Sequence, residues 1–88
     1  MKVRVYDISS ISHMLMHDGV LCDKYTATVK VGIIGKTGWA SATWYLRVYA
    51  RTEHALEQKL KRFRTDDVVE IETDNLYNGG RKYAETQN

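Results

Sequence analysis

SSISHMLMHDGVLCD, Ser9 to Asp23, is the stretch whose reading decides the fold. Ile11, Met14 and Leu15 recur at helical spacing, and Ser9 or Ser10 stands where an N-cap would. Asp18-Gly19 then makes a turn. On this reading Ser9 to His17 is a short helix. The other reading leaves residues 9–23 as a loop. A structureless loop of about 15 residues is uncommon in so small a domain, which favours the helix.

The flanking segments are clearer. Lys2 to Ile8 alternates and reads as a strand with Val3 and Val5 inward. Tyr25 to Ile34 alternates too, with Tyr25, Ala27, Val29, Val31 and Ile33 on one face and Lys24, Thr26, Thr28 and Lys30 on the other. Gly35-Lys36-Thr37-Gly38 loops into a run from about Ala40 to Arg51, so the two runs form a β-hairpin. From Thr52 to Phe63 the period changes. Ala55, Leu56, Leu60 and Phe63 share a helical stripe, Thr52 is placed to cap it, and Glu57 and Lys61 are spaced for an i,i+4 pair. Val68 to Thr73 alternates again with Val69 and Ile71 inward.

With a helix at Ser9–His17 the order is strand, helix, strand, strand, helix, strand. That is an α+β domain of ferredoxin-like, split βαβ order, with one antiparallel sheet and two helices on one face. The opposite face stays open to solvent. If residues 9–23 are a loop and residues 80–85 add a strand, the order is three strands, a helix and two strands, an OB-like barrel. Either way residues 1–77 make a single domain, and 78–88 a polar C-terminal tail or edge strand.

At 88 residues the chain supports one modest core. Its 43% hydrophobic and 27% charged residues argue against disorder over most of its length. No run approaches the roughly 18 apolar residues of a membrane span, and MKVRVYDI lacks the apolar centre of a secretion signal. Cys22 is the one cysteine, which excludes an internal disulfide. Together these imply a cytoplasmic protein.

Charge is unevenly spread. Residues 1–51 hold seven Lys or Arg and three Asp, a balance of +4; residues 52–88 hold six against eight, or −2. The positive excess therefore belongs to the strand-rich half, where a local patch steers anions whatever the total.

WYLRVYAR, Trp44 to Arg51, shows where that charge goes. As a strand it turns Trp44, Leu46, Val48 and Ala50 inward, and Tyr45, Arg47, Tyr49 and Arg51 outward. Arg4, Tyr6 and Lys30 join the outward set from the earlier strands, and Lys36 and Trp39 extend it along the hairpin loop. Glu70, Glu72 and Asp74 bound it with negative charge. Single-stranded nucleic acid asks for such a surface: cations for phosphates, flat rings for unstacked bases. Arginine serves both needs. The expectation is a non-enzymatic binding protein for single-stranded DNA or RNA. The alternative is a protein-binding inhibitor or adaptor module of the viral or plasmid accessory type, or a homodimer, using the same face.

From Trp44 through Val68 the chain is similar to bacterial single-stranded-DNA-binding proteins, which also run from a Trp-containing strand through a helix into a second alternating strand. Where those usually carry a Lys-Gly-acid turn, this chain has Arg64-Thr65-Asp66-Asp67. The split βαβ order resembles the RNA-recognition motif. TWYLRVYA offers that motif's third-strand aromatics in Tyr45 and Tyr49, without its glycine. Neither resemblance assigns a residue.

Other signals are weaker. His13, His17, Asp18 and Cys22 are all metal-binding types, and the two histidines would share a helix face, but their spacing matches no strong zinc pattern. Gly35-Lys36-Thr37 lacks the earlier glycine of a phosphate-binding loop, since Lys30 stands there, and it joins two strands. Nothing brings Cys22 to a histidine base, and Asp66 and Asp67 are neighbours that point apart. No cofactor, no metal and no membrane contact is expected.

Overall fold

The computed structural model describes residues 1–35, 40–72, 76–78 and 81–82. The elements run β1 Lys2–Ile8, β2 Ser12–His17, β3 Val20–Ile34, β4 Ala40–Ala50, α1 Glu53–Thr65, β5 Val68–Glu70, β6 Leu76–Asn78 and β7 Arg81–Lys82. This is a small α+β fold with one antiparallel sheet and, among the described residues, a single helix. The strands lie in the order β5-β1-β3-β4-β6-β7, with β2 on β3 beside β1.

The expected helix at Ser9–His17 is a strand. Asp18 and Gly19 have φ of 51° and 80°, and His17 pairs with Val20 across them. Two consecutive positive φ values make a two-residue turn whose twist suits a hairpin, and Asp-Gly is a preferred sequence for it. A helix would also need a partner for the stripe of Ile11, Met14 and Leu15. Only Ile11 packs against the core; Leu15 stays 55% exposed. Ser9, expected as a cap, instead bridges to β3: its N–H donates to Thr28 O at 2.9 Å, and its Oγ accepts from Thr28 N at 2.8 Å. β1 and β2 thus form one interrupted strand along β3. The two-helix, split βαβ order gives way to three strands, a helix and further short strands.

A β-bulge sets the faces of β1. Val5 pairs with Val31 and Asp7 with Lys30, leaving Tyr6 as the extra residue. The insertion reverses the alternation, so Ile8 joins Val3 and Val5 on the core side, opposite Val29. Tyr6 remains 46% exposed.

The helix forms as its sequence implies. Thr52 Oγ1 accepts from Ala55 N at 3.1 Å, and Asp66 N–H closes the last turn on Arg62 O at 3.0 Å. Leu56, Leu60 and Phe63 are buried against Val3, Val29, Val31, Leu46, Val69 and Leu76. Each such side chain contributes about 1.5–3 kcal/mol relative to exposure. On the outer side Glu57 pairs with Arg64, not with the expected Lys61. The helix also ties β4 to β5, which are separated in the sheet by β1 and β3. An open cleft of about 1100 Å³ is lined by β4 at Leu46–Tyr49, by α1, and by Glu70, Ile71 and Glu72 at the end of β5. Lys59 Nζ donates to Tyr49 O at 2.7 Å, and Arg62 donates to Glu70 O at 3.2 Å.

Candidate functional site

The face away from α1 is built by register. Lys30 on β3 stands opposite Tyr45 on β4, Tyr45 opposite Tyr77 on β6, and Tyr77 opposite Lys82 on β7. With Asp7 on β1 opposite Lys30, one transverse row therefore crosses five strands, two adjacent tyrosines standing between lysine positions and an aspartate beyond Lys30 at one end. Directly opposed residues on neighbouring strands are about 4.5–5.5 Å apart, and the next row along lies about 7 Å away. That next row pairs Thr28 with Arg47, and the one beyond pairs Thr26 with Tyr49. Arg4 sits on β1 opposite Gly32.

Side chains follow this grid. Tyr45 is 44% exposed, Arg47 is exposed, and Tyr49 and Tyr77 are half-buried. The Arg47 guanidinium lies over the Tyr77 ring at 5.8 Å from its centroid. Arg4, Lys30 and Arg51 are exposed as well, and among the described residues they and Arg47 enter no ion pair. Asp7 stands opposite Lys30, yet its Oδ1 accepts from Ile8 N at 2.9 Å on its own strand. Among the described residues these cations thus have no ion-pair partner, and Tyr45 between them is accessible.

Apart from Asp7, the acidic charge at β5 is kept at a distance from the tyrosines. Glu70 belongs to β5, separated from β4 by β1 and β3. Its carboxylate accepts from the amino terminus of Met1 at 2.5 Å. That hydrogen bond, with the charges of the amino terminus and Lys2, holds the Glu70 carboxyl below its ordinary value near 4.5, against a smaller opposing effect of burial.

Of the expected site residues, Arg4, Tyr6, Lys30, Tyr45, Arg47 and Tyr49 share this face, with Tyr6 at the bulge. Arg51 lies just past the end of β4. Lys36, Trp39 and Asp74 lie outside the described residues. Tyr77 was not expected here. Its signal was the pair Leu76-Tyr77, one residue fully buried and the next turned outward, which is a strand read over too few residues to notice.

The metal-type residues near the turn do not converge. His13 and His17 are four residues apart on a strand, hence about 13 Å, where a helix would have brought them together. His13 Nε2 meets Asp23 Oδ1 at 2.7 Å and its ring stacks on Tyr25 at 4.5 Å. Cys22 Sγ donates to Met14 O at 3.2 Å. Among the described residues no three His, Cys, Asp or Glu side chains are grouped to hold a metal ion, and no helix is long and apolar enough to cross a membrane.

Comparison with protein-family models, with curated proteins and with solved structures gives no match for this chain.

Proposed function

We propose that this chain is a non-enzymatic binding protein that holds single-stranded nucleic acid across β3, β4 and β6. The observation that carries the reading is the row Lys30–Tyr45–Tyr77, a pair of neighbouring tyrosines with exposed Lys30 and Arg47 beside them. Tyr45 and Tyr77 stack bases, Lys30, Arg4 and Arg47 hold phosphates, and Tyr6 and Tyr49 extend the platform on either side. On this reading the fold is a partly open OB-like barrel. Its order of three strands, helix and short strands supports this, as does the approach of β4 and β5 at the helix. In such barrels the second and third strands present the oligonucleotide-binding face, which corresponds to β3 and β4 here.

Fluorescence anisotropy with labelled single-stranded and duplex oligonucleotides tests the proposal. The expected result is preference for single strands, binding that weakens with salt, and a loss of about 5- to 100-fold in Tyr45→Ala, from a stacking contribution of roughly 1–3 kcal/mol per base. No binding at low salt would overturn it. Salt-insensitive capture of a protein through the same tyrosines would instead identify an adaptor or inhibitor surface.

A further inference from the structure

Arg47 differs from the other cations of the tyrosine face. Register sets Tyr77 opposite Tyr45, not opposite Arg47, so the guanidinium reaches Tyr77 by leaning diagonally from β4 to β6. Its carbon lies 5.8 Å from the centroid of the Tyr77 ring, within the range of a cation–π contact. Tyr45 and Arg47 alternate on one face of β4, about 7 Å apart at the backbone, and the lean brings the head of Arg47 back toward the Tyr45 row. On β3 the residue opposite Arg47 is the neutral Thr28. The acidic member of the row, Asp7, lies on β1 with β3 between it and β4, and its carboxylate accepts from Ile8 N at 2.9 Å.

A guanidinium held in this way is a donor set with a fixed plane. It carries five N–H donors and no acceptor, and resting on a ring removes part of its rotational freedom before anything binds. Among the described residues neither Lys30 nor Arg4 lies over a ring. A base laid on the accessible Tyr45 ring occupies the solvent side of the same row, so its edge comes alongside the Arg47 head. From these observations we infer that Arg47 reads the base stacked on Tyr45, and that the base it selects is guanine. The inference rests on the proposed single-strand reading and adds a specificity to its central position.

Guanine follows from the donor pattern. A fork with no acceptor needs two acceptors side by side. Guanine presents O6 and N7 together on one edge, and arginine meets that pair with two parallel hydrogen bonds. Adenine sets its N6 amino group beside N7, which turns a donor toward a donor, and thymine sets a methyl group beside O4. Cytosine shows an amino group on that edge. Its N3 and O2 do form an acceptor pair on the pairing edge, but the smaller ring covers less of Tyr45 than a purine does. Acceptor pattern and size together favour guanine. The remaining donors of Arg47 stay free for a phosphate, so base reading adds to the charge this residue gives the track.

Fluorescence anisotropy with labelled thymidine oligomers of about nine nucleotides, within the usual span of one such site, tests this. One oligomer is all thymidine, and the others carry a single central guanine, 7-deazaguanine, adenine or cytosine. The full chain should bind the guanine oligomer about 5- to 30-fold more tightly than the all-thymidine one, the lower part of the range for a bidentate pair because the face is open to water. The 7-deaza base has C–H in place of N7 and should lose most of that gain. The ratio of the two affinities separates base reading from charge. Arg47→Lys keeps the charge and loses the fork, and should bring the ratio to about one. Lys30→Ala should weaken both oligomers alike and leave the ratio within about twofold. Several results would overturn the inference while the single-strand reading stands: all-thymidine binding with a ratio near one, a preference for adenine or cytosine, full affinity for 7-deazaguanine, or a guanine preference that survives Arg47→Lys. No binding of any oligomer at low salt would overturn both.

Discussion

The Arg47 guanidinium rests over the Tyr77 ring at 5.8 Å, joining β4 to the short β6 on the exposed face of the sheet. Among the described residues β6 pairs with β4 at Tyr45 and Leu46, so this contact adds to a narrow seam. A double-mutant cycle of Arg47→Ala and Tyr77→Ala, read by urea denaturation, should give a coupling of about 0.5–1 kcal/mol, the scale of an exposed cation–π pair. Arg47→Lys should retain part of it, since the charge stays and the plane is lost.

Phosphate contacts have a different signature from stacking. If Lys30 and Arg4 each hold one phosphate, replacing either with alanine should lower the slope of log affinity against log salt by about 0.7 for a single strand. Tyr45→Ala should weaken binding with the slope nearly unchanged. Titrations at four or more salt concentrations separate the two. A slope unmoved by Lys30→Ala would remove that residue from the backbone track.

The tyrosine face was legible because β3 and β4 alternate without interruption, and parity alone assigns Tyr45, Arg47 and Tyr49 to one side. The hairpin arm, β2 with the first residues of β3, was misread because its apolar residues face water. Met14 and Leu15 match a helical stripe only if a core lies beneath them, and none does. Asp18-Gly19 was the better evidence, since two positive φ values in succession suit a hairpin and not a helix end. Ile8 reaches the core side only through the bulge, which strict alternation cannot reveal. Tyr77 was invisible because β6 spans three residues, and its place follows from pairing with β4.

Gly19 has φ of +80° and Asp18 of +51°, so the turn tolerates side chains poorly at its second position. Space is not the obstacle, as nothing lies within 4 Å of an added Cβ. Gly19→Ala should therefore cost about 1 kcal/mol, confined to the arm. Hydrogen exchange should speed up at β2 amides by about fivefold, while amides of Val29 and Val31 keep their protection. Equal acceleration in both would mean that arm and core open as one unit.

Glu70 ties the amino terminus to β5, and that hydrogen bond holds its folded carboxyl below the ordinary carboxylate range. A carboxyl held lower in the folded state than in the unfolded chain stabilises above its unfolded value. That stabilisation disappears as pH falls through the folded value. The difference in melting temperature between wild type and Glu70→Gln should thus be full near neutrality, and should close as pH falls through the lowered folded value and Glu70 becomes uncharged like glutamine. Melting curves across that range check the sign. A gap that widens on acidification would contradict it.

Thr52 caps the helix that joins β4 to β5, through Oγ1 accepting from Ala55 N at 3.1 Å. Thr52→Ala leaves that N–H to water and should destabilise the fold by about 1 kcal/mol, while Thr52→Ser should recover most of the loss. The same helix buries Leu60 completely, and Leu60→Ala should cost about 2–5 kcal/mol, enough to threaten a chain of this size. Urea midpoints rank the three variants. They also test whether α1 is the part that holds β4 and β5 together. If it is, Thr52→Ala should increase exchange at Tyr49 and Val69 as well as in the first helical turn. If only the helix terminus responds, the cap stabilises α1 locally, and β4 and β5 are held by their own core contacts.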